Sequence, residues 1–143
     1  MKDFASILGN FATAVSVFLA VVIFKCSDNA QRSAQANAAI LEYQKLAIEN
    51  PDLFKKAEEI DPVTFQWKPS NPADVKYALF ATFALTTSEQ ILALQNDDKE
   101  WKSTVKDIVS VHTNFIRHKK FDLSMYSKEL RDILNPIIKQ SQN

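Results

Sequence analysis

The spacing of apolar positions changes along the chain, and each change marks an element. Residues 4–24, FASILGNFATAVSVFLAVVIF, carry no charge, with Lys2 and Asp3 on one side and Lys25 on the other. At the helical rise these twenty-one residues reach roughly 30 Å, the thickness of a bilayer's hydrocarbon core. The pattern predicts a single N-terminal transmembrane helix, with an anchor at 1–25. A cleaved signal is not expected, because the small-residue triplet Ala34-Gln35-Ala36 lies too far beyond the apolar run. A lipoprotein signal is not expected either, because Phe24 and Lys25 precede Cys26.

Within the anchor, Ala5, Gly9, Ala12, Thr13, Ser16 and Ala20 recur mainly at steps of three and four, which draws a stripe of small side chains along one helix face. Such a stripe lets two membrane helices approach closely. The expected partners are therefore the membrane and another transmembrane helix, from a second copy or from a different protein. Asn10 offers an interhelical hydrogen bond. Lys25 and Arg32 follow the span while Lys2 precedes it, so positive charge favours a cytoplasmic body.

Past the anchor, residues 26–38 are polar, alanine-rich and free of helix breakers, which predicts a juxtamembrane helical stalk. Ala30, Ala34, Ala38 and Leu41 keep a three-to-four spacing that suits either self-association or a solvated linker. A helical domain is expected over 39–136. Its first face carries Ile40, Tyr43, Leu46 and Ala47. Asn50-Pro51 ends this helix and starts the next, and Asn71-Pro72 repeats the start signal, with asparagine as cap and proline at the first helical position. Between them, Pro62 and Pro69 make residues 61–71 an irregular connection, in which Phe65 and Trp67 pin the loop to the core or form an exposed aromatic contact.

The helix from Pro72 carries Val75, Leu79, Phe80, Phe83, Ile91 and Leu94 and should be central, with Thr86, Thr87 and Ser88 as a solvent-facing interruption. Asn96, Asp97 and Asp98 form a turn and cap. Trp101, Val105, Ile108, Val109, His112, Phe115 and Ile116 then follow one helical stripe, which Arg117, His118, Lys119 and Lys120 close with positive charge. A last helix begins at Ser124, Pro136 ends or kinks it, and 137–143 should fray. The predicted fold class is all-α, one N-terminal transmembrane helix followed by a compact bundle of four to five helices.

Composition narrows the function classes. Gly9 is the only glycine, which disfavours tight β-hairpins and excludes a glycine-rich phosphate loop. Seventeen basic residues balance seventeen acidic ones, so nothing in the net charge would gather nucleic acid. One cysteine and two histidines, far apart in sequence, make neither a metal-ligand set nor a thiol–imidazole pair. His112, on the apolar stripe, reads as a hydrogen-bonded core residue, and His118 as exposed. No catalytic residue, cofactor, metal or small-molecule substrate is expected. Arg117, Lys119 and Lys120 remain as a possible contact for a partner or for anionic headgroups, or simply as a helix C-terminus.

The segments DDKEW (97–101), FIRHKKF (115–121) and YSKEL (126–130) together resemble a pattern found in an uncharacterised group of small bacterial single-pass membrane proteins with a helical cytoplasmic domain. The resemblance implies a bacterial inner (cytoplasmic) membrane location. The group has no established activity, so it assigns no role to Trp101, Arg117 or Tyr126. The expected function is a non-enzymatic, membrane-anchored interaction protein or accessory subunit. The alternative is an effector or immunity-type protein, in phage defence or toxin control, acting by oligomerisation in the membrane.

Overall fold

The computed structural model describes residues 2–66, 68, 70–95, 98–118 and 121–139, with side chains from residue 19 onward. These residues are all-α: α1 (Lys2–Glu49), α2 (Asp52–Glu59), α3 (Pro72–Gln95), α4 (Lys99–Ser110), α5 (Thr113–Ile116) and α6 (Lys128–Lys139), with a 3₁₀ turn at Leu123–Met125. The chain divides into two compact units, residues 1–34 and residues 35–143.

The first unit is the earlier part of α1. Among the described residues no helix is long and apolar enough to cross a membrane. The span predicted at 4–24 has the side chains of residues 4–18 outside the described set, and 19–24 alone rise only about 9 Å.

The second unit is built on α3. Tyr77, Phe80, Ala81, Ala84, Leu85, Ser88, Ile91 and Leu92 are buried along it, at steps that cover more than one helix face. The small Ala81 and Ala84 leave room for neighbouring helices, and α3 packs against α2, α4 and α6. Ala36, Tyr43 and Ala47 from the end of α1 join the same core, as do Leu53 and Ala57 of α2, Val105 and Val109 of α4, and Leu130 and Leu134 of α6. Burying each large aliphatic or aromatic side chain stabilises the fold by roughly 1.5–3 kcal/mol. Ala36 falls within the predicted stalk yet is fully buried in this core.

Helix ends follow local chemistry. Asn71 Oδ1 accepts the Ala73 N–H at 3.1 Å and starts α3 as predicted. Asp98 accepts the N–H groups of Glu100 and Trp101 and starts α4, while Asn96 and Asp97 lie outside the described residues. Ser127 Oγ accepts the Leu130 N–H at the start of α6, and Glu89 of α3 accepts the Ser127 N–H at 2.7 Å. Asn50 closes α1 as expected, its side-chain amide donating back to the Leu46 carbonyl at 2.9 Å, but it does not cap α2, which has no side-chain cap hydrogen bond.

Several apolar assignments are corrected. Val75 and Leu79 of α3 are exposed, because α3 buries the neighbouring face through Asp74, Tyr77 and Ala81. Thr87 and Ser88 are buried, and the Ser88 hydroxyl donates to the Ala84 carbonyl at 2.8 Å, which makes its burial tolerable. The stripe running from Trp101 to Ile116 is not one helix. At His112 the backbone N–H bonds three residues back, to Val109, while Ser110 and Thr113 hydroxyls donate to the Asp107 and Ser110 carbonyls. These side chains compete with the helical ladder and divide α4 from α5, although Val105, Ile108, Val109, His112 and Ile116 all remain buried. Residues 123–125 form a 3₁₀ turn with Met125 exposed, not the first turn of the last helix. Pro136 lies inside α6, which continues to Lys139; Ile137 and Ile138 pack on the core instead of fraying. Residues 140–143 lie outside the described set.

Candidate functional site

In the first unit, Leu19, Val21, Val22, Ile23 and Phe24 are all exposed large hydrophobics. Successive helical residues advance by about 100°, so residues 19–24 present apolar surface on every face of α1. Ala20, the one described member of the small-residue stripe, is also exposed. Ala5, Gly9, Ala12, Thr13 and Ser16 lie outside the residues whose side chains are described. Cys26 is exposed just beyond the apolar run.

In the second unit, the sequence stripe carries His112 inward, and the fold supplies its partners. Tyr43 Oη lies 3.1 Å from Nε2, and Tyr77 Oη lies 3.2 Å from Nδ1. A neutral imidazole has one donor and one acceptor nitrogen, so one hydroxyl donates to the ring and the other accepts from it. Phe80 meets the imidazole edge-on at 5.1 Å and stacks on Tyr43 at 5.4 Å. His112 has no exposed surface, and burial lowers its pKa to about 4. The Tyr43 hydroxyl is pushed up to about 12 by burial. Burial raises Tyr77 too, reinforced by Tyr43. In their neutral forms the three groups tie α1 and α3 to the turn between α4 and α5.

A second buried cluster fastens the irregular connection. Asp74, at the start of α3, is 3% exposed. It takes an ion pair from Lys56 of α2 at 3.0 Å, the Asn71 side-chain amide at 2.9 Å and the Lys68 N–H at 3.2 Å. Lys56 also lies over the Phe65 ring, 5.1 Å from its centre. Phe65 is partly buried against the core, as a pin for the loop requires. Trp67 lies outside the described residues. His118, expected at the surface, is 5% exposed, because its Nε2 reaches the Phe65 carbonyl at 3.1 Å.

Arg117 is half-buried, and its Nε donates to the Ile137 carbonyl at 2.8 Å. It therefore ties α5 to α6. Lys119 and Lys120 lie outside the described residues. Among the described residues no group of His, Cys, Asp or Glu side chains could hold a metal ion.

One concave surface stands out. An apolar groove of about 580 Å³ opens between the end of α1, the start of α2 and the end of α4, floored by Tyr43, Ala47, Phe54 and Ile108. Ile48 and Val111 line it and are 79% and 37% exposed. The sequence held one hint of this groove: Ile48 is apolar but falls off the face set by Ile40, Tyr43 and Ala47. Nothing comparable marked Val111, which continues no stripe. No protein-family model, no curated protein and no solved structure matches the chain.

Proposed function

We propose that the protein is a membrane-anchored, non-enzymatic interaction protein or accessory subunit, with α1 anchoring the chain in a bacterial cytoplasmic membrane and the helical body facing the cytoplasm. The observation that carries this reading is the band of apolar side chains at residues 19–24, exposed all around the helix. A helix apolar on every side is stable only when buried in protein or in lipid. The uncharged sequence from residue 4 onward extends the same band to bilayer length. Lys25 follows it, where an interfacial cation would snorkel to the headgroups.

The body supports binding over chemistry. Among the described residues its buried titratable groups, His112, His118, Tyr43, Tyr77 and Asp74, are all engaged within the fold. Its open concave surface is apolar. In the membrane, the small-residue face from Ala5 to Ala20 would take a neighbouring helix.

Alkaline carbonate extraction of membranes carrying the full chain tests the anchor. The protein should stay in the pellet, and Val15→Lys combined with Val22→Lys should move most of it to the supernatant, since each charge at depth costs about 2.5–3.5 kcal/mol. Release of the unaltered chain would refute the reading.

A further inference from the structure

We infer that the groove between α1, α2 and α4 receives an amphipathic helix from a different protein, one whose apolar stripe is flanked by lysine or arginine. This rests on the reading of the body as a binding module, but not on the anchor.

The groove's floor and walls are apolar, and Asp107 is the one charged residue lining it. Asp107 is exposed, and among the described residues its carboxylate has no cationic partner. The surface of α4 is also segregated by charge. At about 100° per residue, Glu100 and Asp107 fall on one edge of the helix, while Lys99, Lys102 and Lys106 fall on the other. Lys102 accordingly lines a separate depression beside Lys128, Glu129 and Asp132. The apolar groove is thus bordered by acidic charge alone on its α4 side. On the α1 side, Gln44 and Ile48 add no charge.

An occupant that complements this surface has an apolar face and a cation at its edge. The groove is open to solvent, so it covers one side of its occupant, as a helix-binding groove does. A small-molecule site instead encloses most of its ligand.

The test uses the full chain in phosphatidylcholine nanodiscs. The probes are two constrained helical peptides with the same leucine stripe, one flanked by lysines and the other by glutamates, with binding to empty nanodiscs subtracted. The lysine peptide should bind about tenfold more tightly, an advantage that weakens with salt. Asp107→Lys should invert the order, and Ile48→Asp should weaken both peptides about tenfold or more. Both positions are exposed, so neither change should unfold the body, which circular dichroism checks. Equal affinity for the two peptides, no binding of either, or an order unchanged by Asp107→Lys would overturn the proposal. So would sedimentation showing a dimer that Ile48→Asp dissociates, which would assign the groove to a second copy. Failure here with the carbonate result intact removes the groove assignment and leaves the anchor standing.

Discussion

At the scale of single residues, His112 carries the most information. Both of its ring nitrogens face tyrosine hydroxyls inside the core, so truncating either tyrosine leaves a buried imidazole nitrogen without a partner. Tyr77→Phe should destabilise the fold by about 1–3 kcal/mol, measured by urea unfolding. The same burial makes stability depend on pH. The folded pKa lies near 4, below the unfolded value of about 6.5, so the unfolded chain binds a proton first. Stability from this group is complete above about pH 6.5 and is lost as pH falls toward 4. The loss is on the order of 3 kcal/mol by linkage. Urea midpoints at pH 7 and pH 4.5 should differ in that direction. The difference should shrink in His112→Gln. The apolar spacing at Val105, Ile108 and Val109 made His112 legible as a core residue. Its tyrosine partners were not legible, because pairing across 69 and 35 residues depends on how the helices cross.

At the scale of elements, the loop between α2 and α3 depends on Asp74. This carboxylate collects an ammonium, a side-chain amide and a backbone N–H in a nearly closed site. Lys56→Ala should therefore cost about 1–3 kcal/mol, somewhat less than the loss expected when a fully buried pair is broken, because Lys56 keeps 18% exposure. Replacing both Lys56 and Asp74 with apolar residues should recover part of that loss in a double-mutant cycle.

The sequence read well where local chemistry decides. Asn71 and Asp98 start their helices through side-chain oxygens, and the α4 stripe is buried where its spacing said it would be. It read poorly where a distant contact decides. His118 is drawn inward by the Phe65 carbonyl, and Arg117 by the Ile137 carbonyl. Pro136 is absorbed within α6, whose following residues have the core to pack on. The groove was nearly invisible, since it is a gap between three helices and no single helix carries its signature.

At the scale of the molecule, the two units contribute different things. Among the described residues, every member of the hydrophobic core lies at Ala36 or beyond. Removal of residues 1–34 should accordingly leave the body helical and cooperatively unfolding, with a midpoint within a few degrees of the full chain in thermal circular dichroism. If the midpoint collapses, the first unit carries a share of the fold that its exposed side chains do not indicate. Acidic and basic residues are equal in number over the full chain and nearly so in the body, which therefore has little long-range field, so short-range complementarity at its surfaces must supply partner choice. The membrane anchor we propose would supply the other half of selectivity, by confining encounters to the membrane plane.

The measurement that meets the central claim most directly is spin-label accessibility in lipid vesicles. With Cys26 replaced by serine, single cysteines at positions 19 through 24 would be labelled in turn in the full chain. The account predicts that all six sites are accessible to oxygen and shielded from a water-soluble nickel complex. Nickel accessibility at these sites, or on one face of the helix only, would contradict it.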